Sequence, residues 1–495
     1  MERGFMQDQL IVLNFDRQYA AALASRLRAE KIYCRILPAS TLARDIRAID
    51  PQGLVLAGGV SGQFAGEVDP ELMHLGIPIL ALGDIAPAAA TLLGAEAWEK
   101  RTVNGVGTVS FFPSPITGEM EETERQLAYV NPLHLPDGMV PLAQWEDAII
   151  GVQHAEKRIY TLQLQLEAND MDMMELLLRF ATQVCGCTPW WGEEAFIAQT
   201  KAAIAQRVGK GKAVCIMSGG LSSGVNAVLA HRVLGERLQC LYVDTGLLRA
   251  HETDRFVEYY RDRLGLNLKV IHAESHFLEA LQGLEQPEDK QAVILRMLQE
   301  TLEQSMQAMD YDLLLLPVSA SQLMDGENAL TPMGRISQPR AVMMPLSELY
   351  KEEIRFVGEA LGMPPEVIQM QPFPWTGLAL RISGECTPEK VELLRQIDAI
   401  FSDEIRSAGL HKKLWKYFAV LHHMPDHPEQ SADLILLRAV TASHQGGNIN
   451  ALAARLPYDL LERFTARVRG ASPQVRKVFY DLTPGSSGHQ DFEWQ

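Results

Sequence analysis

Basic residues are the minority in this sequence: 45 lysines and arginines stand against 62 aspartates and glutamates, a formal charge of −17. A chain with that balance has no broad cationic face, so nucleic acid is not expected as a partner, while small phosphates need only a local basic site. Cysteine is scarce too, six in 495 residues, too few for a disulfide scaffold. Cys185 and Cys187 are spaced C-x-C without a second pair at zinc spacing, and read as packing rather than metal. No run reaches the roughly 20 apolar residues that a membrane span requires. The first residues, MERGFMQDQLIVLNF, enter a short apolar strand without a long hydrophobic signal region. A cytoplasmic protein with no membrane partner is expected. Internal repeats and low-complexity tracts are also missing.

What the chain does have is core: 47% of its residues are hydrophobic and 22% charged, and its length predicts two or three domains. Through residue 165 or so, the runs LIVLNF, YCRILP, GLVLAG and IPILALG alternate with helical patterns, which predicts a mostly parallel α/β sheet. Residues 167–210 read as two helices around a Cys/Trp-rich turn. The alternation then resumes with AVCIMSGG, LQCLYVDTG, LNLKVIHAE and YDLLLLPVS, a second doubly wound sheet. After about residue 375 comes one long helix capped by Thr387, then the strand candidates WKYFAVL, LILLRAV and VRKVFYDL, which predict a small α+β domain with antiparallel strands.

Three strand-to-helix turns could carry chemistry. In VCIMSGGLSSGV, the backbone N–H groups of Ser218, Gly219 and Gly220 would face an anion held on a helix N-terminus. Ser-Gly-Gly also serves tight strand-to-helix geometry, so the pattern alone leaves both readings open. Asp244, in YVDTGLLRAHET, falls at the end of the next parallel strand, where open α/β sheets bind ligands. In the first domain, LAGGVSGQ and LALGDIAPAA make a similar pair of turns, yet a nucleophile elbow needs Cys or Ser at its top and Asp84, Ile85 and Ala86 stand there. No cysteine lies between Cys34 and Cys185, and His154 in GVQHAEKR is the one nearby base, a residue type more often structural than catalytic in such a place.

Taken in order, RVGKGK, YVDTGLLR, LGLNLKVIHA, GLALRISGECTPEK, RAVTA, LPYDLLERF and the terminal FEWQ resemble the GMP synthase family, glutamine-hydrolysing ligases that aminate XMP. The resemblance spans essentially the whole chain. It implies an α/β protein with a class I glutamine amidotransferase-like domain over residues 8–166 and an ATP pyrophosphatase-like domain of the adenine-nucleotide alpha-hydrolase, PP-loop type over 167–375. A C-terminal α+β dimerisation domain would fill 376–495.

Against the family's patterns, the reactive positions have changed. The elbow Gly-Ile-Cys-Tyr-Gly-Met-Gln becomes GDIAPAA, with Ile85 for the nucleophile and Pro87 for the second glycine, which removes an N–H near the oxyanion site. Gly-Val-Gln-Phe-His-Pro-Glu becomes GVQHAEK, with Ala155 for the base, Lys157 for the carboxylate and His154 displaced by one position. The loop Ser-Gly-Gly-Val-Asp-Ser-Ser-Val becomes SGGLSSGV, keeping Ser218, Gly219, Gly220 and Ser223, while Ser222 replaces the aspartate and Gly224 the second serine. Asp244, Gly246, Leu247 and Arg249 match the family's nucleotide-binding strand end. Arg381 and Arg438 match positions expected near XMP, and Glu493, the third implied substrate contact, matches the terminal motif together with Trp494. The family's lid is replaced by LMDGENALTPMGRISQPR, in which Asp325 or Glu327 could supply metal ligation, and FPGPGLA reads FPWTGLA, with Trp375 in the glycine turn.

The resemblance thus implies a pseudoenzyme without glutaminase that binds a purine nucleotide (ATP, XMP or GMP) or a protein partner. The alternative is an ATP-dependent ligase using ammonia and XMP, or adenylating another substrate. ATP with weakened magnesium binding is the implied cofactor, with neither zinc nor flavin. A homodimer through the C-terminal domain and a heteromer with a true GMP synthase are the implied assemblies.

Overall fold

The computed structural model describes residues 9–59, 68–97, 101–120, 122–130, 133–136, 138–164, 171–324, 341–370, 375–424, 432–445 and 448–483. Contacts divide the chain into two compact units, residues 1–195 with 445–448, and 196–444 with 449–495.

The first unit is built on a nine-stranded sheet. Its strands are β1 (Leu10–Asn14), β2 (Cys34–Pro38), β3 (Gly53–Ala57), β4 (Ile79–Leu82), β5 (Arg101–Phe111), β6 (Thr123–Val130), β7 (Val140–Trp145), β8 (Ala148–His154) and β9 (Ile159–Leu162), in the order β2-β1-β3-β4-β9-β8-β7-β5-β6. Strands β2 to β9 along that order pair in parallel, but β9-β8, β8-β7, β7-β5 and β5-β6 are antiparallel. The expectation of a mostly parallel sheet is therefore corrected to one half parallel and half antiparallel. The reason is chemical: RTVNGVGTVSF and TERQLAYV carry too many polar residues to read as doubly buried runs, and short turns rather than crossover helices join β7, β8 and β9.

The parallel half is covered on both faces. Leu10 and Val12 of β1 join one core with helix α1 (Arg17–Ala29), and Ile11 and Leu13 join another with Ile85 and Ala89 of the turn and helix α2 (Ala86–Leu92). That alternation is the period-two side-chain geometry of a strand. Helix α3 (Met171–Arg179) and the π turn after it add Met173, Leu176 and Phe180 to the first of these cores, together with Cys185 and Cys187. Burial pushes the Cys185 thiol up, so it is packing material rather than a nucleophile.

The second unit contains a five-stranded parallel sheet of β10 (Ala213–Met217), β11 (Leu238–Asp244), β12 (Leu268–His272), β13 (Leu313–Leu315) and β14 (Val342–Met343), ordered β12-β11-β10-β13-β14. The order reverses beside β10, and ligands bind such sheets at the strand C-termini next to that reversal. Helix α4 (Leu221–Leu234) leaves β10, α5 (Glu252–Val257) follows β11, and α6 (Glu274–Ala280) follows β12. Next comes α7 (Pro287–Gln307), whose buried Lys290 donates to the carbonyls of Ile382 at 2.7 Å and Gly384 at 2.5 Å. Burial lowers its pKa.

The same unit ends with α8 (Pro388–Ser407) and a sheet of β15 (Lys416–Met424), β16 (Ala432–Gln445), β17 (Asn448–Ala453) and β18 (Val475–Tyr480), with α9 (Tyr458–Ala471) between the last two strands. Thr387 caps α8 as the sequence predicts, accepting from the Lys390 amide at 3.4 Å. β15 and β16 are antiparallel, but β18 joins β16 in parallel. The expectation of antiparallel strands is corrected at that pair, because β17 and α9 lie between β16 and β18 and supply the long crossover connection that parallel pairing needs. Phe401 of α8, Tyr417 of β15 and Phe464 of α9 meet edge to face in the core.

Candidate functional sites

In the first unit, the turns after β3 and β4 close on each other. The Gly58 amide donates to Leu82 O, and the Asp84 amide to Gly59 O, both at 2.9 Å. Gly83 has φ +78, and a Cβ there would run into the carbonyl oxygens of Gly58 and Gly59. The backbone thus makes a sharp strand-to-helix corner, but its next residue, Ile85, is fully buried among the apolar residues of one core. Pro87 lies in the first turn of α2, where its missing N–H costs nothing to the helix. Ala155 and Lys157 are exposed in the turn between β8 and β9, and His154 is half-buried at the end of β8. An alkyl group, a methyl group and a cation at these places provide no nucleophile, no base and no carboxylate to orient one.

The turn between β10 and α4 is different. Gly219 takes φ +84, and Gly220 is the N-cap, with no side chain to close the helix end. Ser218 Oγ accepts from the Gly220 amide at 3.3 Å and donates to Ser223 Oγ at 3.1 Å, while Ser223 Oγ donates to Gly220 O at 2.8 Å. These bonds fix the loop and leave the first-turn amides of α4 to face outward, the arrangement that holds an anion. Ser222 is half-buried. The loop offers hydroxyls and amides but no carboxylate, so on its own it fits a phosphate group and not a magnesium ion. Gly224 is buried, and a Cβ there would collide with the Tyr260 hydroxyl. Tyr260 belongs to an aromatic stack with Phe256, which lies 4.1 Å from Tyr242.

Asp244 ends β11 and is 7% exposed. Its carboxylate accepts from the Gly246 amide at 3.0 Å and from Thr253 Oγ1 at 2.8 Å. The loop that follows is tied down by residues far along the chain: Leu378 N donates to Leu247 O at 2.7 Å, Arg395 Nη2 to Gly246 O at 2.7 Å and Arg395 Nε to Leu248 O at 3.0 Å. A side chain at Gly377, which has φ +60, would strike Leu247 O. The retained glycine of FPWTGLA is therefore required by this contact, while Trp375 packs against the core.

Arg249 and Arg381 converge on one carboxylate. Arg249 Nε lies 3.1 Å from Asp398 Oδ2, and Arg381 Nη1 3.9 Å from Asp398 Oδ1. Arg381 is 1% exposed and lies over the Phe418 ring at 4.4 Å. Glu252 accepts from the Arg249 amide at 3.0 Å, and burial raises its pKa against the lowering effect of Arg249. Arg249, Glu252, Tyr260, Arg395, Asp398 and Gly219 all line a cleft of about 1480 Å³. Arg438 is elsewhere, on β16, paired with Asp481 and with Thr483 O at 3.4 Å. Glu493, Trp494, Asp325 and Glu327 lie outside the described residues. Asp398, Glu252 and Tyr260 were not singled out from the sequence, since each reaches the site through packing rather than through a motif.

Among the described residues no helix is long and apolar enough to cross a membrane. Family profiles match at residues 403–492 (GMP synthase C terminal domain) and 212–316 (phosphoadenosine phosphosulfate reductase domain). The solved structure of a putative GMP synthase subunit from Thermoplasma acidophilum covers 36% of this chain and 94% of its own at 19% identity and a TM-score of 0.31, a likeness too small to place any residue. Curated glutamine-hydrolysing GMP synthases are similar along their whole length. That of Acetivibrio thermocellus is 33% identical over 97% of this chain and 98% of its own. That of Heliobacterium modesticaldum is 32% identical over 99% of both. With a PP-loop ATP pyrophosphatase-like fold followed by a GMP synthase C-terminal domain, and 32–33% identity to curated relatives over 97–99% of its length, the chain belongs to the GMP synthase family.

Proposed function

We propose that this family member has lost glutamine hydrolysis and acts by binding a purine nucleotide or a protein partner, as a pseudoenzyme. The observation that carries the reading is Ile85, an inert side chain fully buried at the corner where the family places its nucleophile. Ala155 and Lys157 extend it, since neither can take over the roles of base and orienting acid. The nucleotide would sit with its phosphates on Ser218, Gly219, Gly220 and Ser223 and contact the strand end from Asp244 to Arg249. ATP, XMP and GMP are the candidate ligands. Ser222 weakens the case for magnesium-dependent turnover, because a hydroxyl replaces the carboxylate that would share the ion with pyrophosphate.

A cytoplasmic homodimer through residues 376–495 is part of this proposal, as is pairing with a catalytically complete family member. The domain limits at 166/167 and 375/376 belong to it as well. The test combines two measurements on the full chain: glutamate release from glutamine, and equilibrium dialysis with ATP, XMP and GMP. The reading expects no glutamate above the uncatalysed rate and saturable binding of at least one nucleotide. Glutamate release above the uncatalysed rate, or the absence of binding to every nucleotide and to a GMP synthase, would refute it.

A second reading is favoured by the retained Ser218-Gly219-Gly220 cradle with Asp244, and by the Arg249–Asp398 pair on the same cleft as Gly219. It is an ATP-dependent ligase that takes free ammonia and XMP, or that adenylates a different substrate. Pyrophosphate release from Mg-ATP with XMP and concentrated ammonium, accompanied by GMP, would establish the first form of it.

A further inference from the structure

The structure brings three metal-ligating side chains together at the C-terminal ends of β11 and β12. Asp244 and His272 are direct partners across the parallel β11-β12 ladder, so their side chains share a face of the sheet. The Ala273 amide donates to Asp244 O at 2.9 Å and turns the chain, so that Glu274, the first residue of α6, comes back over Gly246. A Cβ on Gly246 would stand 2.9 Å from the Glu274 Cβ, so only glycine at 246 lets Glu274 close down. One carboxylate oxygen each from Asp244 and Glu274 and one ring nitrogen of His272 then lie within 4.8 Å of one another. Metal bonds of about 2.0–2.2 Å place donors no more than about 4.4 Å apart. His272 and Glu274 are exposed, so rotation of their side chains is the movement that binding an ion would require.

A second observation, independent of the spacing, also calls for a cation. Asp244 is a buried carboxylate whose partners are two neutral donors, the Gly246 amide and the Thr253 hydroxyl, and among the described residues it forms no ion pair. Buried charges are paired or coordinate metals. The same two donors hold the carboxylate still, which lowers the cost of ordering it as a ligand.

We propose that Asp244, His272 and Glu274 form a binding site for a divalent first-row transition-metal ion. Two carboxylates and an imidazole suit Mn²⁺, Fe²⁺, Co²⁺ or Zn²⁺, whereas Mg²⁺ prefers an all-oxygen shell. The site uses no cysteine and draws its ligands from the ends of β11 and β12 and the start of α6, so no cysteine spacing marks it in the sequence. The site does not depend on the nucleotide reading, and its test needs no nucleotide, so either can fail while the other stands.

The probe is Mn²⁺ alone, titrated into the full chain with the free ion counted by its paramagnetic resonance signal. About one ion per chain is expected, with His272→Ala and Glu274→Ala each weakening binding by roughly tenfold or more. Both positions are exposed, so these variants are expected to keep the wild-type thermal midpoint in the absence of metal, and Zn²⁺ should displace Mn²⁺ where equimolar Mg²⁺ does not. No stoichiometric binding by the wild-type chain, binding unaltered in both variants, or equal competition by Mg²⁺ would each overturn the proposal.

Discussion

Gly224 allows a direct test of how the phosphate loop is packed. It stands on the first turns of α4, and a Cβ built there overlaps the Tyr260 hydroxyl and lies 3.0 Å from Cζ of the same ring. Overpacking a closed core costs about 1–3 kcal/mol, and replacing glycine inside a helix returns about 0.5–1 kcal/mol. Gly224→Ala should therefore destabilise the second unit by roughly 1–2 kcal/mol. At about 2–4 °C per kcal/mol for a large domain, the thermal midpoint should fall by a few degrees. Tyr260→Phe deletes the overlapping oxygen and leaves only the tight contact to the ring carbon, so in that background most of the penalty should vanish. The assay is a double-mutant cycle on thermal midpoints of the full chain, with a coupling of about 1 kcal/mol expected. If Gly224→Ala raises the midpoint, or costs as much in the Tyr260→Phe background as in the wild-type chain, the packing argument is wrong. Restoring a serine here, the residue the family's pattern carries, should need the same relief.

Three further outcomes are expected. Asp398→Asn strips two arginines of their shared counter-ion and should destabilise the chain by about 3–5 kcal/mol, read from denaturant unfolding, because a broken buried pair leaves charge behind. Glu252 has a pKa raised by burial above its ordinary 4.5. The native state therefore binds more protons than the unfolded one between 4.5 and the raised value, and stability falls as pH climbs through that window. Glu252→Gln should flatten that part of the curve, measured as thermal midpoint against pH, and an unchanged slope would count against the assignment. Ser222→Asp should make ATP binding stronger with magnesium than without it, by calorimetry, whereas the wild-type chain should show little difference.

Central parallel strands such as β10 could be read from the sequence because they are buried on both faces: all five residues of AVCIM lie in the core, and no polar alternation confuses the run. RTVNGVGTVSF and its antiparallel neighbours carry no such signal, since their polar residues are compatible with loops as well as strands. The same division holds at the sites. The turn at Ser218, Gly219 and Gly220 and the strand end at Asp244 were legible because strand-to-helix turns are local devices, each written in consecutive residues. Asp398 sits in the middle of the unremarkable helix IDAIF, and only tertiary packing reveals that it joins Arg249 to Arg381. His272 and Glu274 need the register of β11 and β12 before they can be seen as neighbours of Asp244.

Three successive carbonyls, those of Gly246, Leu247 and Leu248, accept hydrogen bonds from Leu378 and Arg395. During synthesis, β10 and β11 leave the ribosome well before these donors do. The strand-end loop carrying Arg249 lacks these donors until the first half of α8 has emerged. A chain stopped before residue 375 would lose the fastening of the loop, and with it Leu378, Ile382, Val391 and Leu394, which share a core with Val214 of β10 and Leu241 of β11.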